Sequence, residues 1–202
     1  SHRCTEPDMV RAEDDPPRLF QGEQRLAPFM NMGAFAEQIL VHESGCVAIR
    51  RDMPFEQASL IGCGVTTGLG AAIRSASVRP GETVAVIGCG GVGLSAIAGS
   101  AIAGAGRIIA IDRVASKLEI ARTFGATDGV DGSEGNAVAQ VMELTKGRGV
   151  DHVLECIGLK QTIEDGYKML AKGGTETIVG AARFDLKVEF SALAFLREKK
   201  IQ

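Results

Sequence analysis

From Thr83 onward, short apolar runs alternate with segments whose apolar residues recur every three or four positions. Thr83-Val84-Ala85-Val86-Ile87 is the first run, and it breaks into Gly88-Cys89-Gly90-Gly91-Val92-Gly93. Leu94, Ile97, Ala101 and Ala105 then mark one helical face, and a second apolar run, Ile108 to Ile111, ends at Asp112. Val114, Leu118 and Ala121 predict the next helix, which Gly125 terminates. A short strand at Val130 follows, then a helix carried by Val138, Val141, Met142 and Thr145. Val153 to Ile157 reads as a strand with an awkward acid, Glu155, inside it. Ile163, Tyr167 and Leu170 give a helix stopped by Gly173-Gly174. Thr177 to Val179 is a strand, and Leu186 to Phe190 reads as one more. Strands alternating with ten-residue helices predict βαβ crossovers, and hence an α/β, doubly wound parallel sheet.

The first third lacks this rhythm. Residues 1–32 are polar, with an acid and proline cluster at Glu13-Asp14-Asp15-Pro16-Pro17, and read as loop. Phe35, Ile39, Val41, Val47 and Ile49 suggest two or three short strands with a turn near Ser44-Gly45. Pro54 suits a first helical turn. Ile61 to Gly68 is too rich in glycine for a plain helix, and a helix resumes with Leu69, Ile73 and Ala76 on one stripe.

Composition narrows the functional classes. The 202 residues are 45% hydrophobic and 23% charged, with a formal charge of −3. That is ordinary globular usage, without the basic footprint that nucleic-acid binding requires. One Tyr and no Trp leave few stacking aromatics. No apolar stretch approaches a membrane span. Cys4, Cys46, Cys63, Cys89 and Cys156 are odd in number and form no CxxC pair, so a disulfide framework is not indicated and a reducing, cytoplasmic setting is expected.

The chemistry gathers at the glycine cluster. In Gly88-x-Gly90-x-x-Gly93 the first glycine permits the tight turn and the second lets backbone approach a pyrophosphate. The third allows helix to pack closely on strand. The following helix presents free N–H groups and a positive dipole end to phosphate. A lone GxGxxG is weak, but here it follows a strand, opens a helix and precedes an acid at the expected distance. A methyltransferase with a similar turn is the main rival. Asp112 would accept hydrogen bonds from the adenosine ribose hydroxyls and so favour NAD over a 2′-phosphorylated cofactor; it could also cap the next helix. Arg113, a basic neighbour, pulls the other way.

Several motifs together give a family resemblance. Gly88 to Gly93, Arg107 to Asp112, Ile61 to Gly68, Lys117, Phe124 to Thr127 and Gly149 to Gly158 resemble the zinc-dependent alcohol dehydrogenases of the medium-chain dehydrogenase/reductase superfamily, near the class III-like branch. The resemblance implies a partial, β-rich GroES-like catalytic domain over 1–64 and an incomplete Rossmann NAD-binding domain over 65–202. It implies hydride transfer between an alcohol or aldehyde and NAD, with a catalytic zinc and homo-oligomeric assembly. Cys63 matches a catalytic zinc ligand, and Thr67 and Val92 match residues that press on the nicotinamide ring. Lys117 matches the basic partner of the adenosine ribose. Cys156, Ile157 and Gly158, with Val179, Gly180 and Ala181, match the segments lining the nicotinamide side. Gly91 joins the phosphate turn, and Cys4 matches a structural zinc ligand.

Departures are informative too. The family's other catalytic zinc ligands and its proton-relay hydroxyl belong to a stretch upstream of Ser1, and neither His2, His42 nor His152 matches. The chain is therefore expected to be an internal or truncated piece, inactive by itself. A zinc-free NADPH quinone or enone reductase and a non-catalytic dinucleotide-binding module are the alternative readings. Hydroxymethyl thiol conjugates and simple alcohols are equally open as substrates. Glu176, an acid inside an apolar strand, is tolerable only if it faces solvent.

Overall fold

The computed structural model describes residues 19–26, 35–39, 41 and 43–202. The chain divides into two compact units, 1–53 and 54–202.

In the first unit, β1 (Leu19–Gln21) and β2 (Gln24–Leu26) form an antiparallel hairpin with Leu19 opposite Leu26. Gly22, at φ +61°, supplies the left-handed residue that a two-residue turn needs. This corrects the expectation of loop throughout 1–32. The strands expected over 33–50 are absent among the described residues there, which hold bends and a single 3₁₀ turn at Glu43–Gly45. Phe35, Val47 and Ile49 stand exposed, so apolar character alone misled.

The second unit opens with α1 (Phe55–Leu60) and continues through a π-helical turn (Ile61–Val65), α2 (Thr66–Gly70) and a second π turn (Ala71–Ser75). The junction residues Ile61, Thr66 and Ala71 all keep right-handed helical backbone angles, so the glycine-rich stretch is helical after all. The sheet then comprises β3 (Thr83–Ile87), β4 (Arg107–Asp112), β5 (Asp128–Asp131), β6 (Val150–Glu155), β7 (Leu170–Ile178) and β8 (Lys200–Ile201). Between them lie α3 (Gly91–Ile102), α4 (Ala115–Thr123), α5 (Ala137–Leu144) and α6 (Lys160–Met169). The order is β5-β4-β3-β6-β7-β8, parallel throughout.

Counted from β3, that order is 3-2-1-4-5-6, the doubly wound arrangement whose crevice opens between its first and fourth strands. Successive side chains point to opposite faces. Val84, Val86, Ile108, Ala110 and Leu154 therefore pack with Ala96, Ile97 and Ala121 on one face. Ala85, Ile87, Ile109, Ile111 and Val153 pack with Val141, Tyr167 and Met169 on the other. Burial on both faces explains the unbroken apolar runs.

β7 passes through Gly173-Gly174 rather than beginning after them, beside a register irregularity in β6 between Val150 and His152. Residues 186–190 are not a strand; the sixth position belongs to β8. Glu176 does not face solvent. It is fully buried, its side chain packs against Gly166 of α6, and its two oxygens have no hydrogen-bond partner among the described residues. Burial first, and the Glu155 charge second, push its carboxyl up to about 8, so it is neutral at pH 7. Among the described residues no helix is long and apolar enough to cross a membrane.

Candidate functional site

The carboxyl ends of β3 and β6 meet at the point where the strand order reverses. Gly88 leaves β3 at φ +92°, a conformation costly for any side chain, and its N–H donates to the Ile111 carbonyl at 2.8 Å. Gly90 is the N-cap of α3 and has no side-chain cap, so the first N–H groups of this twelve-residue helix have no side-chain acceptor at the cap. A Cβ on Gly93 would lie 1.7 Å from the Gly88 carbonyl oxygen, whereas one on Gly90 or Gly91 would meet nothing within 4 Å. Gly93 therefore closes the turn on its helix, and Gly90 and Gly91 leave a space over the helix end. An uncapped helix end with open backbone in front is a receptor for phosphate.

Asp112 holds this turn from the side. One carboxylate oxygen accepts the Cys89 N–H at 2.8 Å and the other the Val114 N–H at 3.0 Å, with Lys117 Nζ at 3.8 Å. The acid thus fixes the turn and the entry to α4 together. A carboxylate has about four acceptor positions, so room remains for a ligand's hydroxyls. Arg113 lies near Asp131, whose carboxyl it helps keep below the usual range after the Ser133 hydrogen bonds.

The opposite wall has two loops. Cys156 N–H donates to the Ile87 carbonyl at 2.9 Å, and the Ile157 side chain occupies the space a Gly88 Cβ would need. A Cβ on Gly180 would come within 2.2 Å of Gly158 N, and one on Gly158 within 2.7 Å of the Ala181 carbonyl carbon. Residues 156–158 and 179–181 are therefore in backbone-to-backbone contact.

Glu155, an acid at the end of an apolar strand, sits beneath both loops. It is fully buried. Its carboxylate accepts from Ile157 N–H and Gly158 N–H at 3.0 Å and from the Thr162 hydroxyl at 2.7 Å. Its carbonyl accepts from Val179 and Gly180 N–H at 2.8 and 2.9 Å. The sequence offers only an acid at a strand end, three residues before Gly158; the positive φ of that glycine, +86°, and the donors around the acid belong to the fold.

Cys63 lies exposed in the first π turn and Thr67 one turn further along the same helix. Between and beyond them, Gly64 and Gly68 face α3. A Cβ on Gly64 would sit 3.9 Å from Gly91, and one on Gly68 would be 2.3 Å from the Val92 carbonyl oxygen. The structure thereby brings the 63–68 segment against the start of α3 and the glycine turn. Cys89 and Cys156 are different: burial pushes their thiols up to about 11 and about 12, with Asp112 and Glu155 adding to it respectively. Both stay protonated and inert at neutral pH.

A family model described as zinc-binding dehydrogenase matches residues 91–202. The chain belongs to this family. Among its curated relatives, a probable S-(hydroxymethyl)glutathione dehydrogenase 1 of Schizosaccharomyces pombe is 40% identical over 170 residues, which is 83% of this chain and 45% of the relative. A crystal structure of benzyl alcohol dehydrogenase from Acinetobacter calcoaceticus superposes with TM-score 0.81 at 34% identity, covering 86% of this chain and 48% of that one. A putative zinc-binding dehydrogenase from Sinorhizobium meliloti, solved bound to NADP, gives TM-score 0.65 at 31% identity over 69% of this chain and 42% of its own. The chain spans about half the length of the curated relatives it matches.

For a zinc-binding dehydrogenase, the described residues fit the two expected groups unequally. The open cradle at Gly90, the uncapped α3 and the acid at Asp112 suit a dinucleotide. Zinc chemistry of this kind needs three protein ligands. Among the described residues no three His, Cys, Asp or Glu side chains converge on one point, and Cys63 supplies a single thiol. Those residues do not by themselves make a zinc centre. His152 is engaged elsewhere, with Nε2 2.8 Å from Glu82. Cys4, His2 and His42 lie outside the described residues.

Proposed function

We propose that the chain binds NAD across the β3/β6 crevice and serves hydride transfer between NAD and an alcohol or aldehyde. The observation that carries this is the pairing of an open, uncapped α3 terminus with Asp112 at the end of the neighbouring strand. Gly88, Gly90, Gly91 and Gly93 would hold the pyrophosphate at the helix end, with the Val92 backbone completing the turn. Asp112 would receive the adenosine ribose through its remaining acceptor positions, and Lys117 would balance its charge. Cys156, Ile157, Gly158, Val179, Gly180 and Ala181 would form the wall on the other side of the switch point.

Bound NAD supplies a nicotinamide ring that takes a hydride from an alcohol or returns one to an aldehyde. This chain's contribution is to orient that ring. Val92 and Thr67, the neighbour of the Gly68 that meets the Val92 carbonyl, would press on it from one side, and the 156–158 loop would bound the other. We further propose Cys63 as one zinc ligand, the remaining ligands lying outside the described residues.

The choice of NAD over NADP rests on charge. A carboxylate at Asp112 repels a 2′-phosphate, and a hydrogen bond to a charged group contributes about 1.5–3 kcal/mol. The NADP-bound relative makes the comparison worth measuring. Titration of the chain with NADH and with NADPH, followed by nicotinamide fluorescence, should give NADH affinity at least about tenfold tighter, a difference of about 1.4 kcal/mol. Equal affinities would remove the NAD assignment, and binding of neither would remove the dinucleotide reading.

A further inference from the structure

We infer that Asp131 is a specificity-determining residue of the dinucleotide site, matching the charge of Arg113 so that it does not serve a 2′-phosphate; the role rests on the reading just given. Asp112 and Asp131 are register partners at the carboxyl ends of β4 and β5, on strands about 4.8 Å apart. Just past the sheet, the Gly132 N–H donates to the Asp112 carbonyl at 3.0 Å and keeps the two strand ends together. A Cβ on Gly132 would lie 4.0 Å from Arg113 Cγ, so the arginine stem passes over the residue next to Asp131. The Asp131 carboxylate is fixed there. It accepts the Ser133 N–H at 2.8 Å, and the Asp131 carbonyl accepts from Gln140 Nε2 at 3.1 Å. The Ser133 hydrogen bonds, and after them the Arg113 charge, keep this carboxyl below its usual range, so it is ionised at neutral pH.

Two bases and two acids therefore share this rim. Lys117 Nζ lies 3.8 Å from Asp112, and Arg113 acts on Asp131 as a nearby positive charge. Each base is matched by an acid, so neither is in surplus for a further anion. That matters at one ligand position. NAD and NADP differ in the phosphate on the adenosine 2′-hydroxyl, a group that a nearby arginine accommodates. Arg113, next to the ribose acid, would by itself favour that phosphate, and Asp131 offsets it. Exposed charge pairs are weak and screened by salt. Removing the Asp131 charge should therefore release Arg113 for a 2′-phosphate. The glycine turn would stay in place, because Asp112 holds it through Cys89 and Val114.

The test is a double-mutant cycle read as the ratio of NADPH to NADH affinity, in which effects common to both ligands cancel. Asp131→Asn keeps an acceptor for the Ser133 N–H and removes the charge. It should raise the ratio by about threefold at low salt, with a gain that shrinks as ionic strength rises. Arg113→Gln alone should leave the ratio within about 1.5-fold, because the charge it removes is already matched. Arg113→Gln combined with Asp131→Asn should cancel the gain. If Asp131→Asn does not fold, Asp131→Ser, whose hydroxyl can accept the same N–H, decides by the same cycle. A gain that survives the loss of Arg113 would make Asp131 a bare repulsive charge and overturn the inference. So would a ratio that falls in Arg113→Gln alone, since Arg113 would then already serve the phosphate. Unaltered protein that binds neither ligand would remove the dinucleotide reading and this inference together, whereas normal NADH binding with a ratio unmoved by the Asp131 variant would sink the inference alone.

Discussion

Two acids lie on one face of the sheet, and the structure gives them opposite characters. Glu155 is surrounded by N–H and O–H donors, whereas Glu176, beneath Gly166, has none among the described residues. Because the folded state holds Glu176 protonated up to about pH 8, it binds more protons than the unfolded chain above the ordinary carboxylate value of 4.5. Stability should then fall as pH rises from about 4.5 to about 8, by a total on the order of a few kcal/mol. Glu176→Gln removes the titration. Its melting temperature should exceed that of the unaltered chain at pH 8, by about 2–4 °C for each kcal/mol recovered, and match it more closely near pH 5. Parallel melting curves across that range would refute the burial argument.

Asp112 yields a second prediction at this scale. Asp112→Gly should weaken NADH by about tenfold and NADPH by clearly less, since the repulsion of a 2′-phosphate disappears with the carboxylate. Equal losses in a fluorescence titration would contradict the ribose role. The turn and its acid were legible in sequence because each glycine there has a local geometric reason. Glu155 was not, because its value comes from donors on the loops after β6 and β7 and on α6 that only the fold assembles.

At the scale of elements, the sheet strands were readable because both of their faces are apolar, and the helices because their stripes face that sheet. The misreadings at 61–68 and at Gly173-Gly174 share one cause, glycine judged without its tertiary partner. Gly68 looked like a helix breaker, yet it is buried where α2 crosses α3, with Val92 and Ser95 filling the space of a missing side chain. Gly99 plays the same part from the α3 side, facing Leu69 and Ala72. Gly174 looked like a helix stop and instead lets β7 lie close to the carbonyls of Val150, Asp151 and Ala171. Overpacking of such a crossing costs about 1–3 kcal/mol, so Gly68→Leu should lower the melting temperature by about 2–12 °C. An unchanged melting temperature would mean that the two helices do not meet as described.

For the whole molecule, a doubly wound sheet predicts where a ligand sits before it predicts which ligand. The crevice at the β3/β6 switch point, the uncapped α3 and Asp112 converge on one place, and membership of the zinc-binding dehydrogenase family agrees with a dinucleotide there. The first third was hard to read because, among its described residues, apolar side chains such as Phe35 and Val47 stand exposed, so periodicity there reports no core. The most direct measurement uses Gly90, where an added Cβ meets no protein atom within 4 Å and the backbone, at φ −81° and ψ −170°, lies in the extended region. Gly90→Val should melt within about 2 °C of the unaltered chain, because its Cβ meets no protein atom within 4 Å, yet lose NADH binding by about a hundredfold, because its methyls fill the phosphate cradle. Normal NADH affinity in a Gly90→Val chain of unchanged stability would contradict the account at its centre.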